Sequence, residues 1–176
     1  QKAKASIRSS LNKLVEKNKI EKTLSDSIFS QITFTDNLNE LKSSDLFIEA
    51  VIENIEIKQS LFKSVESIVS DKCILATNTS SLPVIAIGST CNQQDRIIGL
   101  HFFNPPVLMQ LVEVIPSFNT SEKVLTNSVE IIRQWSKTPV IAKDTPGFIV
   151  NRIARPYYGE ALRIYEEGIA DFATID

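Results

Sequence analysis

A single histidine, His101, stands at the end of the apolar run Ile97-Ile98-Gly99-Leu100-His101-Phe102-Phe103-Asn104-Pro105. Further on, one carboxylate, Glu113, interrupts the apolar stretch Leu111-Val112-Glu113-Val114-Ile115. The ordinary pKa of histidine lets it give and take protons near neutrality. A carboxylate inside an apolar strand is costly unless something pairs with it. One arrangement answers both: Glu113 holds His101, and His101 serves as a general base. The alternative is a histidine satisfied within the structure and without a chemical task. Two features favour the reactive reading. In open α/β sheets, ligands bind at the carboxyl ends of the strands, where His101 falls. A buried acid can also fix the imidazole tautomer and stabilise the imidazolium, as in a Ser-His-Asp triad.

Other polar groups fall at comparable places. Thr77-Asn78-Thr79-Ser80-Ser81 directly follows an apolar strand. Ser81 before Leu82-Pro83 reads as a helix cap. That leaves Asn78, Thr79 and Ser80 to hydrogen-bond a ligand. Glu49 and Glu53 read as a solvated strand terminus and an acidic helix start. Lys58 reads as a surface lysine. Asn151 lies on a predicted helix after Gly147, either exposed or facing a ligand. The basic helix at 1–18 is most simply a solvated face, although its lysines could meet a phosphate-bearing ligand.

These groups need elements to hold them. Residues 1–18 are predicted to form an amphipathic helix, with Ile7, Leu11, Leu14 and Val15 at helical spacing. Residues 31–35 alternate like a strand, and 36–42 suggest a short helix. Strands are predicted at 46–52, 73–77, 97–102, 111–115 and 139–142, and helices at 56–69, from 82, and at 122–136. This alternation implies βαβ units in a doubly wound, mostly parallel, Rossmann-like α/β sheet. Between Phe103 and Leu111 there is too little chain for a helical crossover. The strand 111–115 should therefore run antiparallel to its predecessor, keeping Glu113 near His101. After Ala142 the pattern turns helical, with Asp144 as a cap and Pro146 in the first turn. The expected division is an α/β part at 1–143 and the start of an all-α part at 144–176.

With 43% apolar and 23% charged residues, the composition is that of an ordinary globular protein. The net charge of −2 argues against a nucleic-acid surface. No apolar run reaches membrane-spanning length. Cys73 and Cys91 have no metal or redox spacing, so no metal site is expected and a reducing compartment is. None of the five glycines forms a G-x-G-x-x-G loop, so a dinucleotide fold would carry that unit upstream. The chain opens on Gln1 in a helix already under way and closes on Asp171–Asp176, a helix just beginning. Both ends read as edges of a longer chain.

Five blocks together carry a resemblance. They are Ile48-Glu49-Ala50-Val51-Ile52-Glu53-Asn54, Ala76-Thr77-Asn78-Thr79-Ser80-Ser81, Gly99–Pro105, Leu111–Ile115, and Asp144-Thr145-Pro146-Gly147-Phe148-Ile149-Val150-Asn151-Arg152. In this order and spacing the chain resembles the L-3-hydroxyacyl-CoA (3-hydroxybutyryl-CoA) dehydrogenases from about residue 44 onward; the first 43 residues match loosely. The resemblance implies NAD-dependent oxidation of an (S)-3-hydroxyacyl-CoA to the 3-oxoacyl-CoA, with NADP left open. His101 would be the base and Glu113 its partner, with Ser80 and Asn151 on the substrate oxygens. Glu53, Lys58, Asn78, Ala50 and Asn104 would line the cofactor and substrate cleft. Ser10 and Lys17 would fall where the family contacts coenzyme A. It also implies a homodimer through the C-terminal domain, and a cytoplasmic (bacterial) or mitochondrial-matrix setting. The segment Asn104–Gln110 departs from the family's usual Asn-Pro-Val-Pro-Val-Met-Lys. The alternatives are a non-catalytic structural relative, like the lens protein of this fold, or the dehydrogenase part of a multifunctional β-oxidation protein.

Overall fold

The computed structural model describes residues 2–176, so Gln1 of the predicted first helix lies outside the described residues. The chain divides into two units, Gln1–Glu40 and Leu41–Asp176. The first holds helices α1 (Lys2–Glu16) and α2 (Lys22–Ser30). Leu11 of α1 and Ser25 of α2 are buried. Arg8 donates to Asp26 at 2.7 Å and lies 3.7 Å from the centre of the Phe29 ring. The sequence reading did not foresee α2, because Thr23, Ser25, Ser27 and Ser30 are weak helix formers. The strand expected at 31–35 does not form; the sheet contains no such strand. A strand exists by virtue of its ladder, and alternation alone supplies no partner. A 3-10 turn at Leu38–Ser43 replaces the short helix predicted nearby.

In the second unit, strands β1 (Leu46–Glu49), β2 (Ile74–Thr77), β3 (Ile97–Phe102), β4 (Leu111–Pro116) and β5 (Thr138–Ile141) form one sheet in the order β1-β2-β3-β4-β5. Only β3 and β4 pair antiparallel; the other three pairings are parallel. The sheet is therefore mostly parallel and Rossmann-like, with the reversal where the short 103–110 connection requires it. Helices α3 (Ile55–Glu66) and α4 (Val84–Gly88) cross between parallel strands and pack on one face, over Leu75, Ile97 and Ile115. Helix α5 (Glu122–Gln134) packs on the other, over Ala76, Ile98, Leu100, Val112 and Val114. The handedness rule explains the switch. Crossovers are right-handed, and β4 runs opposite to β3, so the same hand carries α5 to the opposite face.

The strand at 46–52 stops at Glu49, leaving Ile52 68% exposed. Gly99 lets α4 approach the sheet: a Cβ there would lie 2.9 Å from Val84 Cγ2 and 3.0 Å from Ile115 Cβ. Two caps differ from the sequence reading. Ser81 does not cap α4. Instead Asp144, expected to cap the following helix, accepts from the amides of Val84 and Ile85, each at 2.8 Å. A carboxylate satisfies first-turn donors from any distance in the chain if the fold brings it there. Helix α6 (Val150–Glu166) and the short α7 (Phe172–Ile175) complete the unit. Gly168, at φ +68°, ends α6 as expected of a left-handed stop.

Candidate active site

Side chains alternate across a strand, so Ile97, Gly99 and His101 share the α3/α4 face of β3, and Glu113 and Ile115 share that face of β4. The antiparallel register sets His101 directly opposite Glu113. Their side chains meet: His101 Nδ1 lies 2.7 Å from Glu113 Oε2. Both are buried, Glu113 completely. Phe103, with its ring centre 4.5 Å away, and Phe148, at 5.8 Å, wall the imidazole.

Glu113 has a second task that no sequence pattern signalled. Its Oε1 accepts the amides of Ile149 and Val150, each at 2.9 Å, at the start of α6. Ile149 itself makes no side-chain cap, so Glu113 caps α6 from across the fold. With Oε1 occupied by two N–H groups, the carboxyl presents Oε2 to the ring as an acceptor. Nδ1–H therefore donates, and Nε2 is the nitrogen left for a ligand.

Beside this pair, Asn151 on α6 donates from Nδ2 to the Ser80 carbonyl at 3.1 Å. This joins the helix to the 77–81 loop and keeps the two sequence-singled residues adjacent. Ser80 is exposed and Asn151 half-buried. Asn78 follows β2; its Oδ1 accepts the Phe102 amide at 2.8 Å, which leaves Nδ2 as the group it can offer a ligand. Ala50 and Asn104, at the carboxyl ends of β1 and β3, are exposed. Ser10 and Lys17 belong to the other unit: Ser10 Oγ donates to the Ser6 carbonyl at 3.0 Å, and Lys17 is exposed.

The acid-base cluster on β1 overturns two surface readings. Glu49 and Lys58 are each 1% exposed. Lys58 Nζ lies 2.8 Å and 3.0 Å from the two Glu49 oxygens and 3.1 Å from Glu53 Oε2. Thr77 Oγ1 donates to Glu49 at 2.7 Å. Every charge in the group has a partner, which is the condition for burying it. Glu53 passes this order to the loop. Its Oε1 accepts from the Thr79 hydroxyl, from the Ser80 amide at 3.0 Å and from Ser81 Oγ at 3.1 Å. Burial pushes the Glu53 carboxyl up, but the Thr79 and Lys58 hydrogen bonds, the Lys58 charge and the Ser80 amide outweigh it and hold it at about 2. A folded-state value below the ordinary 4.5 stabilises the fold above that pH and is lost on acidification from 4.5 toward 2. Thermal melts across this window should show Glu53→Gln losing less stability on acidification than the parent. Parallel slopes would contradict the assignment.

The strand-end groups fit the nicotinamide end of a dinucleotide. Asn78 and Asn104 can exchange hydrogen bonds with a carboxamide, and Ala50 adds no bulk there. Among the described residues no group of three or more His, Cys, Asp or Glu could hold a metal ion, and no helix is long and apolar enough to cross a membrane.

The family model for the 3-hydroxyacyl-CoA dehydrogenase NAD binding domain matches residues 1–145, and that for the C-terminal domain matches 147–176. The chain is 46% identical over 157 residues to the mitochondrial hydroxyacyl-coenzyme A dehydrogenase of Sus scrofa, covering 89% of this chain and 49% of that protein. It is 42% identical over 166 residues to the 3-hydroxybutyryl-CoA dehydrogenase of Clostridioides difficile, covering 94% of this chain and 59% of that one. Among solved structures, (S)-3-hydroxybutyryl-CoA dehydrogenase PaaH1 from Ralstonia eutropha superposes with a TM-score of 0.93 at 36% identity, covering 98% of this chain and 61% of that chain. The chain thus spans roughly half the length of the relatives it matches.

Proposed function

Because this chain belongs to the 3-hydroxyacyl-CoA dehydrogenase family, we propose that its protein oxidises an (S)-3-hydroxyacyl-CoA to the 3-oxoacyl-CoA, with His101 as general base. The observation that carries this reading is the buried His101–Glu113 contact, which commits Nδ1 and leaves Nε2 to act. The substrate 3-hydroxyl gives its proton to Nε2 as the C3–O bond becomes a carbonyl. NAD, when bound, supplies the acceptor for the hydride leaving C3. Glu113 stabilises the imidazolium that results. Ser80 hydrogen-bonds the reacting oxygen through its hydroxyl. Asn151 holds the Ser80 backbone and faces the same substrate group. Ala50, Asn78 and Asn104 receive the nicotinamide end. Glu53 and Lys58 serve that side by fixing the loop and strand end around it. Ser10 and Lys17 meet coenzyme A.

We place the division between cofactor-binding and helical parts at residue 143, supported by family models that meet at 145 and 147. Homodimerisation through the helical part is supported by the apolar residues Ile153, Tyr157 and Leu162, which α6 leaves more than half exposed. The bacterial cytoplasm or the mitochondrial matrix is the expected setting; the porcine relative is a mitochondrial enzyme.

The test is an assay of the full-length protein with (S)-3-hydroxyacyl-CoAs of several chain lengths, each with NAD and with NADP. Reduction of NAD by at least one substrate is expected. Absence of turnover with every chain length and both cofactors would reject the reading in favour of a structural relative.

A further inference from the structure

Phe148 has a left-handed backbone, φ +46°, directly after Gly147 at φ +77°. Bulky residues rarely adopt this conformation, because Cβ crowds the backbone there. Yet Phe148 is 3% exposed and packed in the cluster with Val84, Ile115 and Ala142. Its amide donates to the Thr145 carbonyl at 3.0 Å, which closes the turn. The next two amides, Ile149 and Val150, are the ones that point at Glu113 Oε1. They are first-turn donors, which have no partner within their own helix. Without them Oε1 would be a buried acceptor with nothing to accept, and nothing else would hold the carboxyl plane so that Oε2 faces Nδ1.

We propose that Phe148 is a positioning residue for His101. Its left-handed backbone presents the Ile149 and Val150 amides to Glu113, and these fix the imidazole in its Nδ1–H tautomer. The start of α6 is thereby part of what readies the ring, acting on it through Glu113, whose Oε1 takes the two amides and whose Oε2 meets Nδ1. The inference deepens the function proposed above and rests on it for its catalytic meaning, but its test does not require turnover.

His101 is the one histidine of residues 1–176; with ¹⁵N-labelled histidine its pair of ring-nitrogen signals is identified in a longer chain as the pair that His101→Gln removes. Recorded at rising pH until they no longer change, those signals report the neutral tautomer. The parent should show Nδ1 protonated. Phe148→Asn removes the ring but tolerates the left-handed backbone, and should keep that tautomer. Phe148→Val stays apolar, but β-branching disfavours that backbone; it should shift the tautomer ratio about tenfold toward Nε2–H. Equal ratios in all three proteins would overturn the proposal. So would Asn acting like Val, which would assign the effect to ring packing. Should either variant fail to fold, hydrogen exchange in the parent decides: the Ile149 and Val150 amides should exchange at least about a hundredfold more slowly than free amides. Free exchange at both would overturn the proposal. An inactive full-length protein with a fixed Nδ1–H tautomer would refute the function and leave this inference standing.

Discussion

Replacing His101 with glutamine in the full-length protein should lower kcat for 3-hydroxyacyl-CoA oxidation by about 10³-fold, with NAD affinity little changed. The substitution is chosen for what it preserves. A glutamine amide can still donate to Glu113 Oε2, which now lies 2.7 Å from Nδ1. The cap on α6 and the packing between Phe103 and Phe148 have no reason to move. What disappears is the second nitrogen, and with it the only imidazole of the chain. Steady-state kinetics beside NAD titration separate the two effects. Turnover within a few-fold of the parent would remove His101 from the role of base.

Glu113→Gln should be at least as severe, at about 10³- to 10⁴-fold in kcat, for a different reason. Glu113 accepts at both oxygens: two amides on one side and the ring on the other. Glutamine has one oxygen and one NH2 group. If the oxygen keeps the α6 amides, the NH2 donates to Nδ1 and imposes the tautomer that carries its proton on Nε2. That ring has no lone pair for the substrate hydroxyl. If the side chain flips, the NH2 faces two N–H groups in a site with no exposure, and a buried unsatisfied set costs about 1–3 kcal/mol. Kinetics together with a denaturant titration should show losses in activity and in stability. A variant that kept the parent's kcat would contradict the role of Glu113 in orienting the ring.

The His101–Glu113 contact was legible because one short connection forced an antiparallel reversal, and a period of two then placed both residues on one face. The β-strands and α3–α5 were legible from apolar spacing, with ends off by a few residues. The rest was hidden for physical reasons. Backbone amides carry no residue identity, so the Ile149 and Val150 donors to Glu113 leave no trace in the sequence. Asp144 looks like a local cap because nothing local says that Val84 lies across the fold from it. Glu49 and Lys58 look solvated because their burial depends on each other, nine residues apart, and on Thr77 from another strand. Alternation at 31–35 suggested a strand, but a ladder needs a partner.

The strand order also bears on how the sheet can be built. Its strands lie side by side in the order in which they occur along the chain. No strand has to be threaded between two that are already paired. Each one leaving a ribosome can join the growing edge of those before it, keeping contacts local and loop closures short. The His101–Glu113 pair arises on consecutive strands of that process. Its last anchor, at Ile149 and Val150, arrives only after β5 has been added.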